Sequence, residues 1–522
     1  MVKHMKIFQP LRISRRVGSV CALLCLAMFV CLPAFAQEDH HHDQAPAAES
    51  AKPASDNTDY NKLPPLPADA HTEQSMVLDG KTLHYTVTVG TLPVRDEQGK
   101  VAGDLVYTAY TIDEPNRPVT FAVNGGPGAS SVFLNFGAIG PKHLNGVGNE
   151  GDSASDPTVM SDNQGTWLGF TDLVFLDPIG TGFSRSLVDP AQAKKLFFGP
   201  TTDVDYLSHA IYDWLIKNGR MTSRKYMVGE SYGGYRVPRI VYELQSQLGV
   251  ALNGEVLVSP YMNPAIESQP DLSPLPWLLT LPSITAAHLE REHQLTPDAM
   301  QSVIAYTLGD YATALIKGYS DPALQQAMIQ KVTEMTGLDP TFVKESGGRL
   351  DTEAYLREVW REEGKVGSVY DSNVTMFDPF PWSPWPKAND PLLASMIGPT
   401  TTAMVNFDTQ VVGWKTDAQY NALSYAVNEA WDRNSPATRE GSVTQLRDTI
   451  AADPKFRVVI AHGWDDLSCP FMGSILTVNE MPVMGDPARV SVHEFPGGHM
   501  FYTREPSRIA FEKIVEDMYS KH

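Results

Sequence analysis

Glycines flanking a Glu-Ser-Tyr core, in the run Gly229-Glu230-Ser231-Tyr232-Gly233, constrain this chain more than any other feature. The preceding Lys225-Tyr226-Met227-Val228 is a strand-like run. The following Gly234 to Leu244 can open a helix. Strand, tight turn and helix form the setting of a nucleophile elbow. Glycine on both sides lets the backbone take a turn that a Cβ would block. Such a turn lifts the Ser231 hydroxyl above a sheet edge, within reach of a base.

At 522 residues the chain can bury a large core and hold more than one structural unit. Lys3, Lys6, Arg12, Arg15 and Arg16 precede an apolar run from Val17 to Pro33, and Ala34-Phe35-Ala36 reads as a cleavage site. The expectation is a secretory signal peptide over 1–36. Arg15-Arg16 hints at twin-arginine export. No later run is apolar for long enough to span a bilayer, so no membrane anchor is expected. Five of the 41 basic residues and none of the 61 acidic ones fall in the signal. The remainder carries 36 against 61, a formal charge of −25. That charge disfavours binding to nucleic acid or an anionic membrane. Cys21, Cys25 and Cys31 leave with the signal, so Cys469 has no partner for an internal disulfide.

Residues 37–68 are rich in Ala, Pro, Asp, Glu and His and read as a disordered linker. His40-His41-His42 within it reads as a solvated tail, since nothing fixes a metal geometry. Leu83 to Val89 and Asp104 to Ile112 alternate with period two, as antiparallel edge strands do. Val119 to Val123 and Leu173 to Asp177 are continuous apolar strands. With the helical patterns between and after them, they predict an α/β sheet that is parallel at its centre. From 263 to 399 the chain shows helical stretches, proline-rich turns and no obvious sheet strand, and reads as an inserted helical cap. Phe377 to Pro386 is an aromatic and proline loop within it. The core, 69–262, is expected to resume at 400–522 with a helix around Ala418 to Trp431 and strands Phe456 to Ala461 and Arg489 to Phe495.

A serine nucleophile needs a base, and the base needs an orienting carboxylate. On an α/β-hydrolase sheet these follow in the order serine, acid, histidine. The loop His462-Gly463-Trp464-Asp465-Asp466-Leu467 supplies the acid, with Asp465 and Asp466 both candidates on spacing. Pro496-Gly497-Gly498-His499-Met500 supplies the base, His499. His493 lies within the preceding strand, and His462 opens the acid loop. Both read as structural. The oxyanion needs backbone N–H donors. One comes from Tyr232, and the other from the glycine-rich loop at Gly125-Gly126. No cofactor or metal is implied.

Together these motifs resemble the serine carboxypeptidase family, of the carboxypeptidase Y and cathepsin A type. The matching segments are Asn124-Gly125-Gly126-Pro127-Gly128-Ala129-Ser130-Ser131, Phe175 to Ser184, Gly229 to Gly234, Gly463 to Cys469 and Gly498-His499-Met500. The resemblance implies an α/β-hydrolase fold and a peptide substrate with a free C-terminus. It implies Ser231, Asp466 and His499 as the triad, and Gly126 and Tyr232 as the oxyanion hole. Asn124, Gly125 and Glu230 would bind the substrate carboxylate. Glu230 would have to hold a proton to accept a second carboxylate beside it. One departure stands out. The family commonly has a second glutamate shortly before a Gly-Pro pair, and this chain has Ala138 there. An esterase or acyltransferase on the same scaffold is the competing enzymatic reading, and a silent binding protein the non-enzymatic one.

Overall fold

The computed structural model describes residues 63–268, 272–383 and 387–521. The expected signal peptide, the linker up to residue 62, the His40–His42 run and the Pro384-Trp385-Pro386 stretch lie outside the described residues.

The chain opens with β1 (Ala70–Leu78), β2 (Lys81–Arg95) and β3 (Val101–Thr111), an antiparallel meander. β4 (Val119–Val123) follows, then a hairpin of β5 (Lys142–Asn145) and β6 (Val159–Asp162), then β7 (Asp172–Leu176) and the short β8 (Arg185–Ser186). β9 (Lys225–Glu230) and β10 (Gly254–Val258) come next. A two-stranded ribbon, β11 (Lys365–Gly367) with β12 (Thr375–Phe377), lies far from them in sequence. β13 (Arg457–Gly463) and β14 (Val490–Phe495) end the series. The main sheet runs β1-β2-β3-β7-β4-β9-β10-β13-β14, with β8 beside β3. From β7 to β14 every neighbouring pair is parallel. This is the α/β-hydrolase arrangement.

The central strands β4, β7, β9 and β10 are buried along their whole length, which is why they read as continuous apolar runs. Their side chains alternate between two cores. Phe121 and Val123 face one with Met227 and Leu257, while Ala122, Val228 and Val256 face the other. The helix Pro200–Lys217 covers the first face, with Trp214 edge-on to Phe121 at 5.4 Å. The last helix, Glu505–Ser520, covers the second, where Tyr519 stacks on Tyr226 at 3.7 Å.

Between β10 and β13 the chain is mostly helical, with helices such as Leu275–Arg291, Pro322–Thr336 and Pro391–Asn406. Leu278, Ile284, Val332, Val343 and Tyr355 build a core of their own there, and Leu467 of the acid loop packs into it. Three features differ from the sequence reading. The β11–β12 ribbon lies in a stretch expected to lack strands; three residues are too few to display a period. The helix expected over 418–431 is confined to Tyr425–Ala430. Asn421 and Leu423 are instead drawn into bridges with Gly182 and Ala129, so tertiary pairing overrides local propensity. β1, too weakly patterned to be read from the sequence, pairs with β2 along its whole length.

Arg236, in the helix Tyr232–Ser246, is wholly buried. Its Nε donates to Asp203 Oδ2 at 2.6 Å, and its Nη1 donates to the Asn124 and Gly125 carbonyls at 2.5 and 3.2 Å. Replacing Asp203 by Ala leaves that guanidinium buried without its counter-charge. We expect a loss of about 3–5 kcal/mol, read from the shift of the denaturant midpoint.

Candidate active site

β9 ends at Glu230, and Ser231 takes φ 59° and ψ −122° before the helix begins at Tyr232. A serine at positive φ is strained, and here the surroundings hold it. Its N–H donates to the Val258 carbonyl at 2.9 Å, and its carbonyl accepts from Gly234 and Tyr261. The local glycines are required by close approach. A Cβ at Gly229 would strike Gly233, and one at Gly234 would strike Pro260. Ser231 is therefore presented at the carboxyl end of the sheet, partly exposed. Sheet enzymes place their chemistry at that end.

The acid and base loops leave the same edge, after β13 and β14. His499 Nδ1 lies 2.7 Å from Asp466 Oδ2, and both groups are buried. Asp466 Oδ1 accepts from the Ser468 and Cys469 amides at 2.8 and 3.0 Å, which fixes the carboxylate's orientation. Burial depresses the His499 imidazole. The Asp466 charge and hydrogen bond outweigh that, with Glu230 adding to them, and leave its pKa raised. The His499 N–H donates to the Tyr370 carbonyl at 2.5 Å, and its carbonyl accepts from Ser259 Oγ at 2.8 Å. The Tyr370 ring lies against the imidazole at 5.2 Å.

The neighbouring aspartate is differently placed. Asp465 joins a group in which Glu290, Asp371 and Asp465 surround Arg504. Burial, then the charges of Asp371 and Glu290, push the Asp465 carboxyl well above the usual range. Asp371 also accepts from the Gly498 amide at 3.1 Å, bracing the base loop from behind. The ambiguity between Asp465 and Asp466 is thus resolved by geometry: only Asp466 meets the imidazole. His462 bonds Ser474 at 2.8 Å and His493 bonds Ser491 at 3.0 Å.

The glycine-rich loop after β4 packs directly on the elbow. A Cβ at Gly125 would collide with the Tyr232 amide, and Gly126 has φ 103°. Tyr232 is the first residue of its helix, so its N–H has no intrahelical acceptor and lies at the positive end of the helix dipole. Asn124 is buried, with Oδ1 accepting from the Leu134 amide at 3.0 Å. Glu230 is also buried, and its Oε2 accepts from the Tyr502 hydroxyl at 2.6 Å. Burial pushes its carboxyl up to about 7, against the pull of the His499 charge and of hydrogen bonds from Tyr502 and Asn124. Ala138 is buried in the helix Phe133–Ile139.

Residues 97–311 match the sequence profile of the family described as serine carboxypeptidase. The matched stretch holds both the glycine-rich loop and the elbow. The chain is 31% identical over 160 residues to serine carboxypeptidase-like 50 of Arabidopsis thaliana, covering 29% of this chain and 32% of that protein. It is 28% identical over 209 residues to the pheromone-processing carboxypeptidase KEX1 of Yarrowia lipolytica, covering 40% and 31%. The chain therefore spans about a third of the length of these curated relatives. The crystal structure of the prohormone-processing carboxypeptidase Kex1(delta)p from Saccharomyces cerevisiae shares the fold. Its TM-score is 0.53 at 16% identity, over 84% of this chain and 91% of that one.

Beside the family motifs, the site uses residues that no motif pointed to: Ser259, Tyr370, Asp371 and Tyr502. Tyr370 and Asp371 come from the β11–β12 turn, inside the segment where no strand was expected. The aromatic and proline loop is pinned at its base. Arg357 donates to the Asp378 carboxylate and to the carbonyls of Phe380, Pro381 and Ser383, while Phe377 and Trp382 stay exposed. Among the described residues no helix is long and apolar enough to cross a membrane, and no group of three or more His, Cys, Asp or Glu is arranged to hold a metal.

Since Asp466 opposes the depression by burial, Asp466→Asn should lower the His499 pKa. Asp465→Asn should move it far less. Imidazole NMR titration of both variants measures this, and equal shifts would contradict the assignment of the orienting carboxylate.

Proposed function

We propose that this chain is an exported serine carboxypeptidase that releases the C-terminal residue of peptides through an acyl-enzyme on Ser231. The observation that carries the reading is Glu230. It is a carboxyl buried directly before the nucleophile, beside Asn124, and held near neutrality in its titration. A general esterase has no use for such a group. An exopeptidase needs it to meet the free α-carboxylate. Protonated Glu230 donates a hydrogen bond to that carboxylate, with Asn124 and the Gly125 backbone beside it. The names of the similar proteins, carboxypeptidases among them, point the same way. The basic, then apolar N-terminus with its Ala34-Phe35-Ala36 site supports export.

In the proposed mechanism His499 Nε2 takes the Ser231 proton as Oγ attacks the last peptide carbonyl. Asp466 keeps the Nδ1–H facing it and stabilises the imidazolium. The Gly126 and Tyr232 amides bind the oxyanion of the tetrahedral intermediate. His499 then gives its proton to the leaving amine, which departs as the free amino acid or its equivalent. Water, deprotonated by His499, hydrolyses the ester on Ser231 and restores the hydroxyl.

Two ionisations bound the activity. His499 must be neutral to act as a base, so rate is lost as pH falls through its raised pKa. Glu230 must be protonated to hold the carboxylate, so KM for a free acid rises above about pH 7. We expect a blocked dipeptide to be cleaved and its C-terminal amide to be spared, with Ser231→Ala lowering kcat by roughly a millionfold. Equal cleavage of acid and amide would refute the exopeptidase reading. Ester hydrolysis without peptide release would move the protein to the esterase or acyltransferase class.

A further inference from the structure

Ala138 leaves Glu230 without the second carboxyl common in the family, and the space beside it is filled from another part of the chain. The Tyr502 ring lies so close to Gly137 that a Cβ there would meet its Cε2 at 2.7 Å. Tyr502 is fully buried, three residues past His499, and its hydroxyl donates to Glu230 Oε2 at 2.6 Å. Arg508, from the last helix, donates to the Tyr502 carbonyl at 2.8 Å and to Asn163 Oδ1 at 3.0 Å, which anchors the turn that carries the ring.

We propose that Tyr502 is the positioning residue for Glu230 in place of a second carboxyl, and that its hydroxyl sets the pH range over which the site holds a free α-carboxylate. The inference rests on the carboxypeptidase reading above. A carboxyl partner bonds Glu230 only while the two share a proton; once both ionise they repel. A phenol behaves otherwise. Burial, then the Glu230 charge, push the Tyr502 hydroxyl well above its usual range, so it keeps its proton and always donates. Because Oε2 accepts from Tyr502, the Glu230 proton is favoured on Oε1. The other groups facing Glu230 are the Asn124 amide, His499 and Asp466. His499 and Asn124 favour its ionised form, and Asp466 disfavours it. None of them is a carboxyl sharing a proton with it, so no second carboxyl ionisation accompanies that of Glu230. KM for a free acid should then rise as Glu230 loses its proton.

Tyr502→Phe keeps the ring against Gly137 and removes only the donor. Losing a hydrogen bond to the ionised form raises the Glu230 pKa, by about 1–2 units for a bond to a charged group. The test compares KM and kcat for a blocked dipeptide and its methyl ester from about pH 5 to 9 in wild type and Tyr502→Phe. In parallel, the infrared band of the protonated Glu230 carboxyl is titrated in a Ser231→Ala background, with Glu230→Gln identifying the band. Labelling of Ser231 by an organofluorophosphonate confirms that the Phe variant is folded. We expect the band's midpoint and the alkaline rise in KM for the free acid to move up together, while the ester shows no such rise in either protein. An unmoved midpoint, or a loss of kcat on both substrates at every pH with no shift of that rise, would overturn the proposal. Absence of free-acid release by wild type would instead refute the carboxypeptidase reading, with the infrared titration still deciding whether Tyr502 governs Glu230.

Discussion

The buried guanidinium of Arg236 ties the candidate site together. It sits one turn into the elbow helix, paired with Asp203 from the helix Pro200–Lys217, and it grips the carbonyls of Asn124 and Gly125. By holding two carbonyls of the glycine-rich loop on one side, it turns that loop's amides toward the other. Its plane also stacks near the rings of Tyr232 and Trp431, at 5.2 and 5.7 Å. Elbow, glycine-rich loop and the helix behind them are thus joined by one charge that could not be buried unpaired.

On that foundation the sheet sorts the reacting groups by strand. The glycine-rich loop, the elbow, the acid loop and the base loop leave the carboxyl ends of β4, β9, β13 and β14. The acid and base loops touch backbone to backbone, since a Cβ at Gly463 would strike the Gly497 and Gly498 carbonyls. Two adjacent aspartates meet opposite environments there. Asp466 receives two amides and the imidazole. Asp465 is driven toward neutrality in a group where three carboxyls share one guanidinium.

Much of this was legible in the sequence, because elbow and glycine loop obey local steric rules. Gly229 is demanded by contact with Gly233 inside a single strand-turn-helix unit, Gly233 and Gly234 make room for Val123 and Pro260 beside it, and the central strands announce themselves as unbroken apolar runs. What escaped was set by distant parts of the chain. Nothing local in Tyr502 reveals that Gly137 leaves room for its ring. Nothing local in Asp465 and Asp466 says which one turns toward β14. The helix expected from Ala418 was shortened by bridges to residues more than two hundred positions away. The Ala138 departure was visible, but the Tyr502 contact to Glu230 was not, because the two residues lie 272 positions apart.

The contact between the Tyr370 carbonyl and the His499 amide couples two distant parts of the chain. Tyr370 belongs to the long excursion between β10 and β13. Here its backbone is also part of the cradle of the imidazole. Remodelling the excursion so that Tyr370 moves would shift the support of the imidazole as well, so these two segments are free to change only together.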